Sequence, residues 1–168
     1  VKDLLSEYVP RVYRFALRLT RDPHTAEEIA QETFLRAWRN RTRLQHPGAR
    51  RVWLFRIAAN VWRDLARRKT QPAESVVSLT EDPDGGGRTP DQAAADQEQV
   101  LRVIKDMDSL PPRQRQVLYL SAIEELDHAQ IAQVLGISSD AVKASLSLAR
   151  KTMRRRWGAG DLKRREVR

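Results

Sequence analysis

The chain has no cysteine among its 168 residues. That excludes disulfides, cysteine-ligated zinc and thiol catalysis. Aromatic residues are only 6% of the total and there are 7 glycines. With few β-branched runs, this balance argues against a strand-rich fold. No apolar run approaches the roughly 20 residues of a membrane span, and the N-terminus lacks a signal-peptide apolar core. A soluble cytoplasmic protein is expected. The chain opens on Val1 rather than Met, so upstream residues or an alternative start codon are expected. His24, His46 and His128 have no second ligand at i+3 or i+4, which argues against a metal site. Gly85-Gly86-Gly87 is not followed by Lys-Ser/Thr and is no phosphate cradle. Glu27-Glu28 reads as an acidic first turn favoured by the helix dipole rather than an acid/base pair. No cofactor and no enzyme chemistry are implied.

What is present is helical periodicity over a 40% hydrophobic composition. Leu4, Leu5, Tyr8, Val12, Phe15, Ala16 and Leu19 recur at three- and four-residue steps, predicting a first helix that Pro10 would kink. A second helix starts either at Asp22-Pro23 or at Thr25, where Thr25-x-x-Glu28 makes a capping box, and runs through Trp38. A basic loop with a His46-Pro47-Gly48 turn precedes a third helix over about 51–69. Periodicity then stops, and Pro72, Pro83, Pro90 and three glycines sit among acids, the composition of a flexible linker. Helices resume near Asp91, run to Asp108 and break at Leu110-Pro111-Pro112. Further helices are predicted over 113–123, from an Asp127-x-x-Gln130 cap to Gly136, and from Ser138 or Ser139 to about Trp157. The basic tail after Gly158 is expected to fray. The fold class is therefore all-α, with two small helical domains joined by a flexible acidic linker. Their expected limits are 1–70, linker 71–90, 91–157 and tail 158–168.

The net charge is +9, and it is unevenly placed. Residues 36–69 carry eleven Lys/Arg against Asp64 alone, and 143–168 carry ten against two acids. Residues 70–99 carry seven acids against Arg88. Two basic blocks flanking an acidic spacer suit two polyanion contacts, because clustered cations displace counterions from phosphates. The alternative is solvated helix faces.

Residues 127–150 read as a helix-turn-helix. Ile131 and Leu135 bury the first helix, Gly136 permits a positive-φ turn, and Ile137 and Val142 seat the second helix. That second helix would place Lys143, Ser147, Arg150 and Lys151 towards a major groove. An ordinary helical hairpin is the competing reading. Helix 51–69 interleaves Trp53 and Trp62 with Arg56, Arg63, Arg67 and Arg68, a pattern that suits unpaired bases stacking on rings. Trp53 serves equally well as core.

These motifs together resemble a known family. Ala26-Glu27-Glu28-Ile29-Ala30-Gln31-Glu32-Thr33-Phe34-Leu35-Arg36-Ala37-Trp38 is similar to the core-polymerase-binding helix of extracytoplasmic-function (ECF) sigma factors. Trp53-Leu54-Phe55-Arg56-Ile57-Ala58-Ala59-Asn60, with Asp64, Arg67 and Arg68, resembles their −10-element helix. Leu110-Pro111-Pro112-Arg113-Gln114-Arg115 and Ile131-Ala132-Gln133-Val134-Leu135-Gly136-Ile137-Ser138, followed by Val142-Lys143, resemble their −35-reading domain.

The resemblance spans about residues 4–157. It implies promoter-specific transcription initiation with core RNA polymerase. Gln31, Glu32, Phe34, Leu35 and Trp38 would grip the β′ clamp helices. Arg56, Asn60, Arg63 and Arg67 would hold flipped-out −10 bases, and the second domain would sit on the β flap and read the −35 element. The linker would thread the polymerase near its RNA exit path. An anti-sigma factor is a candidate partner, for which apolar Leu148 offers a contact.

Residues 71–90 can extend to roughly 66–72 Å. Promoter elements one and a half turns apart lie roughly 50 Å apart, within that reach. Two departures from the family pattern stand out. Ala141, Ala144, Ser145 and Leu148 occupy positions where basic and hydroxyl residues are usual, so direct readout would be thin and DNA shape would matter. Glu125 stands where glycine is common. A stand-alone helix-turn-helix regulator and a nucleic-acid-processing enzyme are the rival classes. The regulator does not need a Gln31–Trp38 interaction helix followed by an Arg/Trp-rich one, and the enzyme lacks a metal or nucleophile cluster.

Overall fold

The computed structural model describes residues 2–40, 47–69 and 105–163, with side chains over 6–40, 48–68 and 105–156. The expected linker, most of the basic loop, the helix start near Asp91 and the last five residues lie outside the described residues. Among the described residues every regular element is a helix.

Helix α1 spans Lys2–Thr20. Pro10 sits on its exposed side and does not end it. The chain leaves α1 through Arg21 in the left-handed region (φ 56°), whose N–H donates to the Leu17 carbonyl at 2.8 Å. Helix α2, Pro23–Arg39, follows at once. Asp22 is its N-cap, accepting from the Thr25 N–H at 2.9 Å, and Pro23 opens the first turn. This decides between the two starts that the sequence offers. A proline preset to helical φ behind a capping carboxylate takes the boundary, and Thr25 becomes a buried residue inside the helix. Helix α3 spans Pro47–Lys69, four residues earlier than expected. Pro47-Gly48 opens this helix rather than forming a turn, again because proline is tolerated where helix N–H groups have no partner.

These three helices bury Val12, Phe15, Ala16, Leu19, Ile29, Ala30, Phe55, Ala58 and Val61 against one another. The second set begins with a helical turn at 105–108. It continues with α4, Pro112–Ala122, then α5, His128–Leu135, and α6, Ser139–Lys163. Helix α6 therefore runs past the end expected near Trp157, through Gly158 and Gly160, instead of fraying there. Extending an existing helix needs no new nucleus, which offsets part of the glycine cost. Met107, Leu110, Val117, Leu120, Ile131, Val134, Val142, Leu146 and Met153 form its interior.

The two interiors meet. Phe15 of α1 touches Phe55 edge-on with ring centroids 5.3 Å apart, and Tyr119 of α4 at 5.6 Å. Burial of Tyr119 pushes its hydroxyl up to about 12. Ion pairs and hydrogen bonds also cross the seam. Arg11 Nε donates to Glu124 Oε2 at 3.0 Å, and Arg115 Nη1 to the Arg18 carbonyl at 2.8 Å.

The turn between α4 and α5 places Glu125 at φ 52°. This is the position that the family resemblance gives to glycine, and the backbone shows why: an L side chain there is crowded by its own carbonyl. Glu125 is exposed. We expect Glu125→Gly to stabilise the protein by about 0.5–1 kcal/mol, the residue of left-handed strain over glycine entropy. Thermal unfolding by circular dichroism checks this; an unchanged or lowered midpoint would contradict the strain argument.

Candidate nucleic-acid interface

The helix-turn-helix forms as its sequence signals require. Asp127 Oδ1 accepts from the Gln130 N–H at 2.8 Å while Gln130 Oε1 accepts from the Asp127 N–H at 3.0 Å, closing a capping box around the start of α5. Gly136 ends α5 at φ 65°, its N–H donating to the Ala132 carbonyl at 2.8 Å. Ser138 Oγ accepts from the Ala141 N–H at 3.1 Å, which makes Ser138 the cap that starts α6.

One face of α6 is buried through Val142, Ser145, Leu146, Ala149 and Met153. The opposite face leaves Lys143, Ser147, Arg150 and Lys151 exposed. The steps 143, 147, 150 and 154 align Arg154 with this stripe, a cation the motif reading did not include although its i+4 spacing from Arg150 was legible. Lys143 lies 3.5 Å from Asp140, both exposed, so that pair holds the lysine only weakly. Ser145 is buried on the core side. Ala144 and Leu148 remain outside, Leu148 52% exposed.

Helix α3 brings Arg56, Asn60 and Arg63 onto one stripe by steps of four and three. Trp62 packs against the core, whereas Trp53 is half-buried beside a groove with Val52, Arg56 and Gln133. Arg56, Asn60 and Arg63 line a second groove of about 610 Å³, closed on its far side by Gln133, Gly136, Ile137 and Ser138 of the helix-turn-helix. Arg63 Nη2 donates to the Leu135 carbonyl at 3.1 Å. Arg67 stands apart from this groove. It is 80% exposed and 2.8 Å from Asp64, which also meets Arg36 of α2 at 3.4 Å. Hydrogen bonds from Arg67 and then Arg36 hold the Asp64 carboxyl below the usual carboxylate range.

On α2, Gln31, Leu35 and Trp38 share an exposed stripe, with Leu35 52% and Trp38 48% exposed. Leu35 and Trp38 are two large apolar side chains exposed about one turn apart on the same face. Glu32 is half-exposed and paired to Arg36 at 2.6 Å. Phe34 leans inward on the core, so it contributes to folding as well as to any surface. The Glu32–Arg36–Asp64–Arg67 chain, which links the α2 face to the basic face of α3, was not legible as a unit. Only its i,i+4 and i,i+3 members show in the sequence.

The geometry thus defines a helical protein with a helix-turn-helix, a cationic α3 face and an exposed apolar stripe on α2. Residues 4–71 match the Sigma-70 region 2 family and residues 102–153 the Sigma-70 region 4 family. The ECF RNA polymerase sigma factor SigL of Mycobacterium tuberculosis is 33% identical over 165 residues, covering 92% of this chain and 86% of that one. The ECF RNA polymerase sigma factor SigE of Mycolicibacterium smegmatis is 32% identical over 158 residues, covering 90% of this chain, which spans only 59% of that relative's length. In three dimensions the chain resembles the sigma factor RpoE of Bartonella quintana, solved with the anti-sigma factor NepR. The TM-score is 0.70 at 21% identity, covering 92% of this chain and 96% of that one. The chain belongs to the ECF RNA polymerase sigma factor family, a family of transcription-initiation factors.

The turn that aims α6 depends on Gly136, and a Cβ built there meets nothing within 4 Å. Any cost of Gly136→Ala is therefore backbone strain alone, expected at about 1–2 kcal/mol. Chemical denaturation measures it, and a loss below a few tenths would show that the turn relaxes.

Proposed function

We propose that this chain is a non-enzymatic, cytoplasmic factor that binds core RNA polymerase and directs it to particular promoters. The observation that carries this reading is the coexistence of two unlike exposed surfaces on one helical body. One is the apolar Leu35–Trp38 stripe on α2, suited to a protein partner. The other is the cationic stripe of α6, suited to duplex phosphates. A regulator acting alone has use for the second surface and none for the first.

In this reading Gln31, Glu32, Phe34, Leu35 and Trp38 form the polymerase contact, with Leu35 and Trp38 as its anchors. Arg56, Asn60, Arg63 and Arg67 serve the unpaired −10 strand, where flipping a base costs a few kcal/mol that stacking and phosphate contacts must offset. Lys143, Ser147, Arg150 and Lys151 serve the −35 duplex, with the second domain on the β flap. Since Ala144 and Leu148 contribute no hydrogen bond to base edges, selectivity rests on few side chains and on DNA shape. Domain limits of 1–70 and 91–157, with 71–90 as linker, fit this division of labour. An anti-sigma factor, as in the RpoE relative, would find an apolar contact at Leu148.

Run-off transcription with core polymerase and genomic templates tests the reading. Initiation at selected sites is expected; no initiation and no co-elution with polymerase would sink it. Trp38→Ala combined with Leu35→Ala should weaken polymerase association by roughly 30-fold or more, as for an interface hot spot, with helix content unchanged. Arg150→Glu should reduce −35 dependence and lower the salt slope of DNA binding by about one or more phosphate contacts. An unchanged promoter profile would remove α6 from the reading surface.

A further inference from the structure

Helix α6 carries apolar groups on the same face as its cations. Leu148 is 52% exposed, and Ala144, one turn before it, is exposed as well. Lys143, Ser147, Arg150, Lys151 and Arg154 stand around them, all exposed. The opposite side of the helix is fixed in the interior by Val142, Leu146, Ala149 and Met153, so α6 cannot roll to hide the leucine. We propose that Leu148, backed by Ala144, is a specificity-determining residue that reads the C5 methyl group of a thymine in the major groove. The inference deepens the proposed function, because it rests on α6 being the helix that reads duplex DNA.

Position is the first support. Lys143 and Arg150 are separated by roughly 10 Å along the helix axis. When flanking cations hold phosphates, the stretch of helix between them is set against base edges. Ser147 and Leu148 lie in that stretch. Chemistry then narrows the ligand. The thymine methyl is the one apolar group on the major-groove edges of the four bases, and the other groups there are donors and acceptors. A leucine set against a cytosine amino group or a purine N7 takes water from a polar atom and returns no hydrogen bond. Leu148 therefore selects thymine in two ways, by burying its methyl and by penalising the other bases.

The extent of the apolar area separates DNA from an apolar protein surface as the partner. Among the described residues Leu148 is the one large apolar side chain exposed on α6. An apolar protein groove seated on it would also cover Arg150 and Lys151, which it could not satisfy, whereas DNA offers phosphates to both. A methyl group framed by phosphates matches this face as a whole.

Replacing thymine by 2′-deoxyuridine removes the methyl and leaves base pairing and every groove donor and acceptor in place. The test uses the full chain with core polymerase on promoters recovered by run-off transcription. Their −35 elements are resynthesised with each thymine of either strand changed singly to uracil. The wild-type holoenzyme should lose about fourfold in affinity at one thymine, the factor expected for one buried methyl. Leu148→Ala should lose at least as much on the unmodified promoter and respond no further to uracil at that same thymine. The remaining positions should behave as in wild type. Such non-additivity marks a direct contact, since a merely structural role lowers affinity for all templates alike. The uracil series on the wild type needs no variant to fold.

Initiation from promoters with no uracil-sensitive −35 thymine overturns the inference and leaves the proposed function intact. A uracil response that persists undiminished in Leu148→Ala overturns it too, by handing the methyl to another side chain. Full promoter affinity in Leu148→Ala does the same and leaves Leu148 to a protein contact. Absence of both initiation and duplex binding removes the inference together with the function on which it rests.

Discussion

The Phe15 ring is where the molecule is held together. It sits on α1 at full burial, edge-on to Phe55 of α3 and tilted against Tyr119 of α4. An aromatic side chain removes a large apolar area from water, and paired rings add about 0.5–1.5 kcal/mol beyond area. Because one ring serves both interiors, the three-helix set and the helix-turn-helix set share a single seam. The Arg56–Arg63 face lies along that seam, beside the helix-turn-helix.

Around this apolar contact the seam is polar. Arg11–Glu124, Arg18–Asp108 and Arg115 with the Arg18 carbonyl form a belt in which cations from α1 and α4 meet acids and carbonyls. Burial, together with nearby Arg21, pushes the Arg115 pKa down. Charged groups placed at such a joint give geometric definition more than net stability, since desolvation offsets much of their attraction. The interior of α1–α3 is mostly apolar, through Val12, Ala16, Ile29 and Ala58, and the hydroxyl of its buried Thr33 donates to the Ile29 carbonyl at 2.6 Å.

Much of the architecture was legible from spacing. The α5 cap, the Gly136 turn and the buried stripe of α6 follow from Asp127, Gln130, Gly136 and Val142, because local hydrogen bonds and helical period need no distant partner. The exposed cations of α6 and the exposed Leu35–Trp38 stripe follow from the same period. Where two local signals competed, at Asp22-Pro23 and Thr25, only the folded backbone chose. Helix ends were the weakest part, as at Pro47 and Lys163, since residues of fair helix propensity extend a helix once a neighbour supports it.

What the sequence determined by itself is the helical class, the order of its motifs and the chemistry each face carries, because these depend on residues within one or two turns of each other. The tertiary structure alone decided which of those faces are available. Glu124 is separated from Arg11 by 113 positions and Leu135 from Arg63 by 72. No periodicity or spacing rule connects residues that far apart. Their pairing exists only when the two halves are packed, and it decides that Arg63 is engaged with a carbonyl while Arg67 on the same helix stays exposed.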